Sequence, residues 1–138
     1  MEIFLREDSR KTPKISFDPQ SGKFEISGRS FPDEAFEFYK DLFDWLDKYL
    51  EVPLSSTTLT FKTDYFNTSS NRCFLELIKK LENIQDKNHE VFVTWLYEKD
   101  DEEIKEAGED LKELTMLSIN IKELESKSGK KGKNKKGA

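Results

Sequence analysis

Apolar and polar residues alternate in two short stretches near the start of the chain, Lys14-Ile15-Ser16-Phe17 and Lys23-Phe24-Glu25-Ile26-Ser27. A period of two predicts strands buried on one face. Between them, Asp18-Pro19-Gln20-Ser21-Gly22 predicts the turn of a hairpin, because Pro presets one φ and Gly accepts a positive one. Residues 1–12 are polar after Ile3-Phe4-Leu5 and read as either a short edge strand or a loose lead-in. The period then changes. Ser30-Phe31-Pro32-Asp33 matches a helix start, a hydroxyl followed three residues on by an acid with Pro in the first turn. From Ala35 to Leu50 the apolar residues, among them Tyr39, Leu42, Trp45, Leu46 and Tyr49, fall on about half of a helix circumference. That arc is wider than a core stripe needs. Phe36, Phe43 and Leu50 run along one margin of it, where a partner could cover them.

Pro53 ends this helix, and Leu59-Thr60-Phe61-Lys62-Thr63 alternates again, predicting a strand over 57–65. Phe74, Leu77, Ile78, Leu81 and Ile84 recur at helical spacing and predict a second helix from about Ser69 to Asp86. Cys73 lies at its margin as a small buried filler. Val91-Phe92-Val93-Thr94-Trp95-Leu96-Tyr97 is apolar at nearly every position, the pattern of a central strand covered on both faces. Asp100 or Asp101 caps a third helix with a thin stripe, Ile104, Ala107, Leu111 and Leu114; Gly108 weakens it, and it is expected on the surface. Leu117, Ile119 and Ile121 alternate as a last strand. The order predicts an α/β domain with a mixed sheet of four to five strands, an N-terminal hairpin and three helices.

Asn67-Thr68-Ser69-Ser70 therefore falls where a strand ends and a helix begins. Two readings fit. Such residues cap helices, because a side-chain oxygen accepts one of the unpaired N–H groups of the first turn. The same N–H groups and the positive end of the dipole also favour an anion, so a hydroxyl there suits a phosphate.

Composition narrows the function. With 138 residues the chain supports one domain, expected over 1–125, and a Lys-rich tail over 126–138 that has nothing to bury and is expected to be disordered. Six of the 23 basic residues lie in 127–138, leaving 17 against 28 acids, so residues 1–126 carry about −11. A surface that acidic argues against nucleic acid and anionic membrane as partners. The tail itself has two readings, a polybasic contact segment or a solubilising terminus that folds back on its acidic domain. A single cysteine excludes a disulfide framework within the chain and fits a cytoplasmic protein. No apolar run is long enough to cross a bilayer, and acids stand near the N-terminus where a signal peptide would carry basic residues. Catalysis has no positive support: there is no Gly-rich phosphate loop, and the lone His89 sits beside no nucleophile and no second metal ligand. No cofactor or metal is expected.

Ser30-Phe31-Pro32-Asp33-Glu34-Ala35, the helix carrying Phe38-Tyr39, Trp45-Leu46 and Tyr49-Leu50, the run Tyr65-Phe66-Asn67-Thr68-Ser69-Ser70, and the strand ending Trp95-Leu96-Tyr97 together resemble the SiaC-type biofilm-regulation phosphoproteins of bacteria. The resemblance spans roughly residues 12–124. That family is related in fold to the STAS-domain anti-sigma-factor antagonists, in which a phosphorylatable hydroxyl sits at a strand-to-helix turn. The resemblance implies a single STAS-like domain with Thr68 as phosphoacceptor and Ser69 and Ser70 as fallbacks. It further implies a Ser/Thr protein kinase, a PP2C-type phosphatase and a target bound only by the unphosphorylated form. In the better-known branch the target is a diguanylate cyclase, activated by the bound protein, which places the chain in c-di-GMP signalling. Asn67 would orient the turn, and Arg72, one turn on, would pair with the phosphate. Phe36, Phe43, Tyr65 and Phe66 are the partner-binding candidates of a protein monomeric on its own. Two features depart from the family: Phe31-Pro32-Asp33-Glu34 stands where Tyr-Pro-Glu-Asn is usual, and the Lys-rich tail lies outside the pattern. The alternatives are anti-sigma-factor-antagonist switching in transcription control, a small-ligand-binding or enzymatic α/β domain, and a nucleic-acid or membrane binder acting through the tail.

Overall fold

The computed structural model describes residues 1–86 and 88–125. In chain order the elements are β1 (Phe4–Arg6), β2 (Lys14–Asp18), β3 (Lys23–Ser30), α1 (Ala35–Tyr49), β4 (Ser56–Phe66), α2 (Thr68–Glu82), β5 (Glu90–Tyr97), α3 (Glu102–Glu113) and β6 (Ile119–Glu123). The strands form one sheet in sequential order, antiparallel from β1 to β3 and parallel from β3 to β6. The α/β class, the mixed sheet, the hairpin and the three helices are as the sequence predicts. The strand count among the described residues is six. The extra strand is β1, where Phe4 pairs with Phe17 across the edge and meets the Trp45 indole edge-on at 6.3 Å. Trp45 Nε1–H donates to the Glu2 carbonyl at 2.9 Å and holds this lead-in against α1. Three residues are too few to show a period.

Register explains why the helices share one face. Phe17, Phe24, Leu59, Val93 and Ile119 are neighbours across five successive strands, as are Ile15, Ile26, Phe61, Trp95 and Ile121. These rows point into one aromatic-rich core, where Trp45 and Tyr49 pack edge-on against Phe24, and Tyr39 against Phe74. The opposite face carries no helix among the described residues. Ser16, Glu25, Thr58, Thr60 and Phe92 are exposed or half-exposed there, Phe92 by 49%. The expectation that β5 is covered on both faces is thus corrected: its second apolar set, Phe92 and Leu96, lies on the open face, and the run is continuous only because that face is apolar at β5.

Two local readings also change. Ser30 is not the cap of α1: it ends β3, fully buried, and α1 starts at Ala35 after Glu34, which makes no side-chain cap. Gly108 does more than weaken α3. It is buried against the Trp95 indole, where a Cβ would overlap the ring, and Trp95 Nε1–H donates to the Ile104 carbonyl at 2.7 Å. A small residue lets α3 approach the sheet closely enough for that bond. Cys73 is buried as expected, and burial with the nearby Glu76 charge pushes its thiol up to about 11. Residues 126–138, with the tail read as disordered, lie outside the described residues.

At the far end of α2, Glu82 accepts bonds from Thr115 Oγ1 and from the Met116 N–H at 2.9 Å, with Lys79 Nζ at 3.7 Å. Burial pushes its carboxyl up, but these bonds and the Lys79 charge outweigh it and hold the group below the usual glutamate value. A carboxyl lowered on folding stabilises the fold above its unfolded pKa, and that contribution is lost as pH falls through the folded value. The stability difference between wild type and Glu82→Gln should therefore be full at neutral pH and shrink on acidification, as urea melts across pH will read. Gly108→Ala should lower stability by about 1–3 kcal/mol, the usual cost of overpacking, in the same assay.

Candidate functional site: the β4–α2 turn

The site begins with an irregularity in the parallel pairing of β3 and β4. Register runs unbroken to Gly28 opposite Thr63, and then Arg29 pairs with Tyr65, leaving Asp64 as an extra residue. Gly28 sits at φ +99, a conformation L side chains rarely adopt. A bulge of this kind shifts which side chains face which way. Without it Tyr65 would follow Leu59, Phe61 and Thr63 into the core. With it Tyr65 turns outward beside Arg29, 50% exposed, while Phe66 turns inward beside Ser30. Tyr65 meets Phe31 edge-on at 5.3 Å, and the Arg29 guanidinium lies over the Phe31 ring at 5.3 Å.

Phe66, expected to face a partner, instead packs edge-on against Phe74 at 5.4 Å and Trp95 at 5.7 Å. Phe43 is also mostly spent within the fold, stacked on Tyr39 with Lys80 Nζ 5.7 Å from its ring. Phe36 remains, 52% exposed. The wide apolar arc of α1 is therefore core over most of its width, with Leu50 half-buried and Phe36 alone on the surface.

The turn itself is held from both sides. Asn67 has an extended backbone, and its Oδ1 accepts the Ser70 N–H at 2.8 Å, the geometry of an N-cap. Its own N–H donates to the Ser30 carbonyl at 3.1 Å. Ser70 is fully buried, and its Oγ accepts from the Ser30 hydroxyl at 2.8 Å; the Ser30 hydroxyl in turn pairs with Tyr39 OH at 2.6 Å. Burial raises the Tyr39 phenol well above its ordinary value, so it stays protonated. Between Asn67 and Ser70, Thr68 and Ser69 are exposed. As the first two helical residues they have no intrahelical acceptor for their N–H groups. Arg72, one turn on, is exposed and forms no ion pair among the described residues.

Parallel topology gathers these groups. β3, β4 and β5 end at the edge of the sheet from which α1, α2 and α3 start, so Arg29, Phe31, Phe36, Tyr65, Thr68 and Ser69 share one end of the molecule. His89 immediately precedes β5 at the opposite end, bonded through Nδ1 to Asp86 Oδ1 at 3.1 Å. No group of side chains among the described residues could hold a metal, and no helix among them is long and apolar enough to cross a membrane.

Residues 6–124 match the family model of the SiaC family regulatory phosphoproteins. The chain belongs to the SiaC family. It is 27% identical over 105 residues to an uncharacterised protein of Pseudomonas aeruginosa (strain UCBPP-PA14), a match covering 76% of this chain and 83% of that one. In fold it is similar to apo-SiaC from Pseudomonas aeruginosa, with a TM-score of 0.79 and 24% identity over 88% of this chain and 99% of that one. It is equally similar to the crystal structure of the diguanylate cyclase SiaD in complex with its activator SiaC from the same organism, with a TM-score of 0.81 and 24% identity over 88% and 99% of the two chains.

Within this SiaC-family fold, Gly28 and Ser30 are the residues that sequence reasoning missed. The signal for the first was a glycine inside an alternating strand, which marks a bulge. Gly28→Ala should cost about 1–2 kcal/mol through its left-handed φ, since the new Cβ would meet nothing closer than Pro13 Cα at 3.9 Å. Chemical denaturation will measure it.

Proposed function

We propose that this chain is a non-catalytic, phosphorylation-switched regulator: its unphosphorylated form binds and regulates a target protein, and phosphate on Thr68 releases it. The carrying observation is an exposed threonine hydroxyl opening α2, on a turn locked by Asn67, in a chain of a regulatory phosphoprotein family. The SiaC structure solved with the cyclase it activates supports a diguanylate cyclase as target, and with it a role in c-di-GMP signalling and biofilm regulation. A Ser/Thr kinase would add the phosphate and a PP2C-type phosphatase remove it, in the cytoplasm. The regulatory domain is residues 1–125.

Charge supplies the switch. A phosphate adds about −1.5 to −2 charge and three acceptor oxygens. The free protein accommodates it, since the N-terminal dipole of α2 favours an anion by about 0.3–1 kcal/mol and Arg72 lies one turn away. A partner packed over the turn must desolvate a dianion, at a cost on the order of a few kcal/mol, where each 1.4 kcal/mol is tenfold in affinity. Tyr65, Phe31 and Phe36 give that partner its apolar contact. Ser69, also exposed, is the fallback acceptor; Ser70 is shut away by burial.

Thr68→Ala should retain target binding and lose release by the kinase, whereas Thr68→Glu should weaken binding at least tenfold in a pull-down or titration calorimetry. The direct test is site-resolved mass spectrometry of protein from its own cells, split into partner-bound and free fractions. Phosphate on Thr68 only in the free fraction is the expected result; none from Thr68 to Ser70 under several growth conditions overturns the proposal.

A further inference from the structure

We propose that Ser30 is the positioning residue of the switch, the anchor that holds Thr68 and Ser69 outward and keeps Ser70 from being offered as an acceptor, and that Tyr39 secures this anchor from α1. That the anchored turn is a phosphorylation switch rests on the function proposed above; that Ser30 anchors it rests on geometry alone.

Three hydrogen bonds close a ring. The Ser30 carbonyl accepts from Asn67 N–H at 3.1 Å, Asn67 Oδ1 accepts from Ser70 N–H at 2.8 Å, and Ser70 Oγ accepts from the Ser30 hydroxyl at 2.8 Å. The ring grips the residue before the acceptors and the residue after them, and leaves Thr68 and Ser69 as a two-residue knuckle in solvent. All three members take part with both backbone and side chain, and Ser30 is the one that is also bonded to α1, through Tyr39. Because its single hydroxyl proton goes to Ser70, Tyr39 O–H is the donor in the 2.6 Å bond to Ser30 Oγ. The order Tyr39 to Ser30 to Ser70 joins α1, β3 and α2 through three fully buried side chains. In a site closed to water, a polar group that loses its partner bears the full desolvation cost, so the set favours one arrangement of the turn.

Three adjacent hydroxyls would otherwise be chemically similar targets. The anchor separates them. Ser70 is turned inward on the stripe shared with Phe74 and Leu77, and the knuckle is presented in one geometry rather than as a mobile loop.

Amide hydrogen exchange on the full chain tests this, with Ser30→Ala and Tyr39→Phe, the second keeping the aromatic ring. Exchange at Asn67, Ser70 and Asn71 should accelerate at least tenfold beyond any change at the core amides of β5, because the ring opens locally. Ser30→Ala should have the larger effect, and adding Tyr39→Phe to it should add little, since the two act through one bond. Acceleration spread evenly over the turn and β5, or none at the turn, overturns the anchor. Mass spectrometry of the same variants from their own cells reads the second arm: phosphate should fall at Thr68 and spread toward Ser69 or Ser70 in Ser30→Ala, and an unchanged Thr68 occupancy and site distribution overturns the positioning role. Local acceleration in a protein whose wild type carries no phosphate at these positions sustains the anchor and overturns the switch instead.

Discussion

The extra residue in β4 opposite Gly28 is the constraint on which the rest of the functional end depends. A parallel pair without it would alternate without interruption, placing Tyr65 in the core and Phe66 outside. The shift reverses both and aligns Ser30 with Phe66 on the inner face. Phe66 then fills space between Phe74 and Trp95, while Tyr65 joins Arg29 and Phe31 on the surface. One backbone irregularity thus sorts an aromatic pair into a core residue and a surface residue.

What lies beneath gives this turn its support. The sheet presents rows of large side chains to three helices on one side, and each helix is tied by a specific contact. Tyr49 of α1 reaches Thr57 of β4 with its hydroxyl at 2.7 Å, α2 is capped by Asn67, and α3 sits against Trp95 through Gly108. Aromatic rings at edge-on distances run from Phe4 through Trp45 and Phe24, and from Tyr39 through Phe74 to Trp95. Such pairs add directional preference to plain burial. The surface that a partner would meet is mounted on this frame rather than on a loop of its own.

Much of this was legible in the sequence, and the failures have physical reasons. Helix and strand identities followed from periods of 3.6 and 2, which α1, α2, β2, β3 and β4 display over enough residues to count. β1 is too short for any period. β5 read as doubly covered because its open face carries Phe92 and Leu96, and hydropathy cannot tell an exposed apolar residue from a buried one. Ser30-Phe31-Pro32-Asp33 has the residues of a helix start, but β3 runs on and tertiary bonds claim the serine first. At the turn, the run Asn67-Thr68-Ser69-Ser70 stood out because capping chemistry is local, and only the family resemblance singled out Thr68 within it. The burial of Ser70 was also there to be read, since it shares a helical stripe with Phe74, Leu77 and Leu81. The attachment to Ser30 and Tyr39 was not, because it joins positions 40 and 31 residues apart and no spacing rule reaches that far.

The flanks of the sheet have a consequence for how the protein behaves in a crowded cell. A β-sheet with one face and two margins uncovered, as here among the described residues, is a template for stray strands. Here the margins are stubs: β1 offers three residues and β6 five, against eleven in interior β4. Arg6 closes β1 with its guanidinium over Phe4, and Lys122 and Glu123 end β6 with opposite charges. Short, charged margins give a foreign chain few backbone groups to zip onto and little to gain from doing so. Uncontrolled self-templating is thereby disfavoured at both margins, although no helix among the described residues covers the open face.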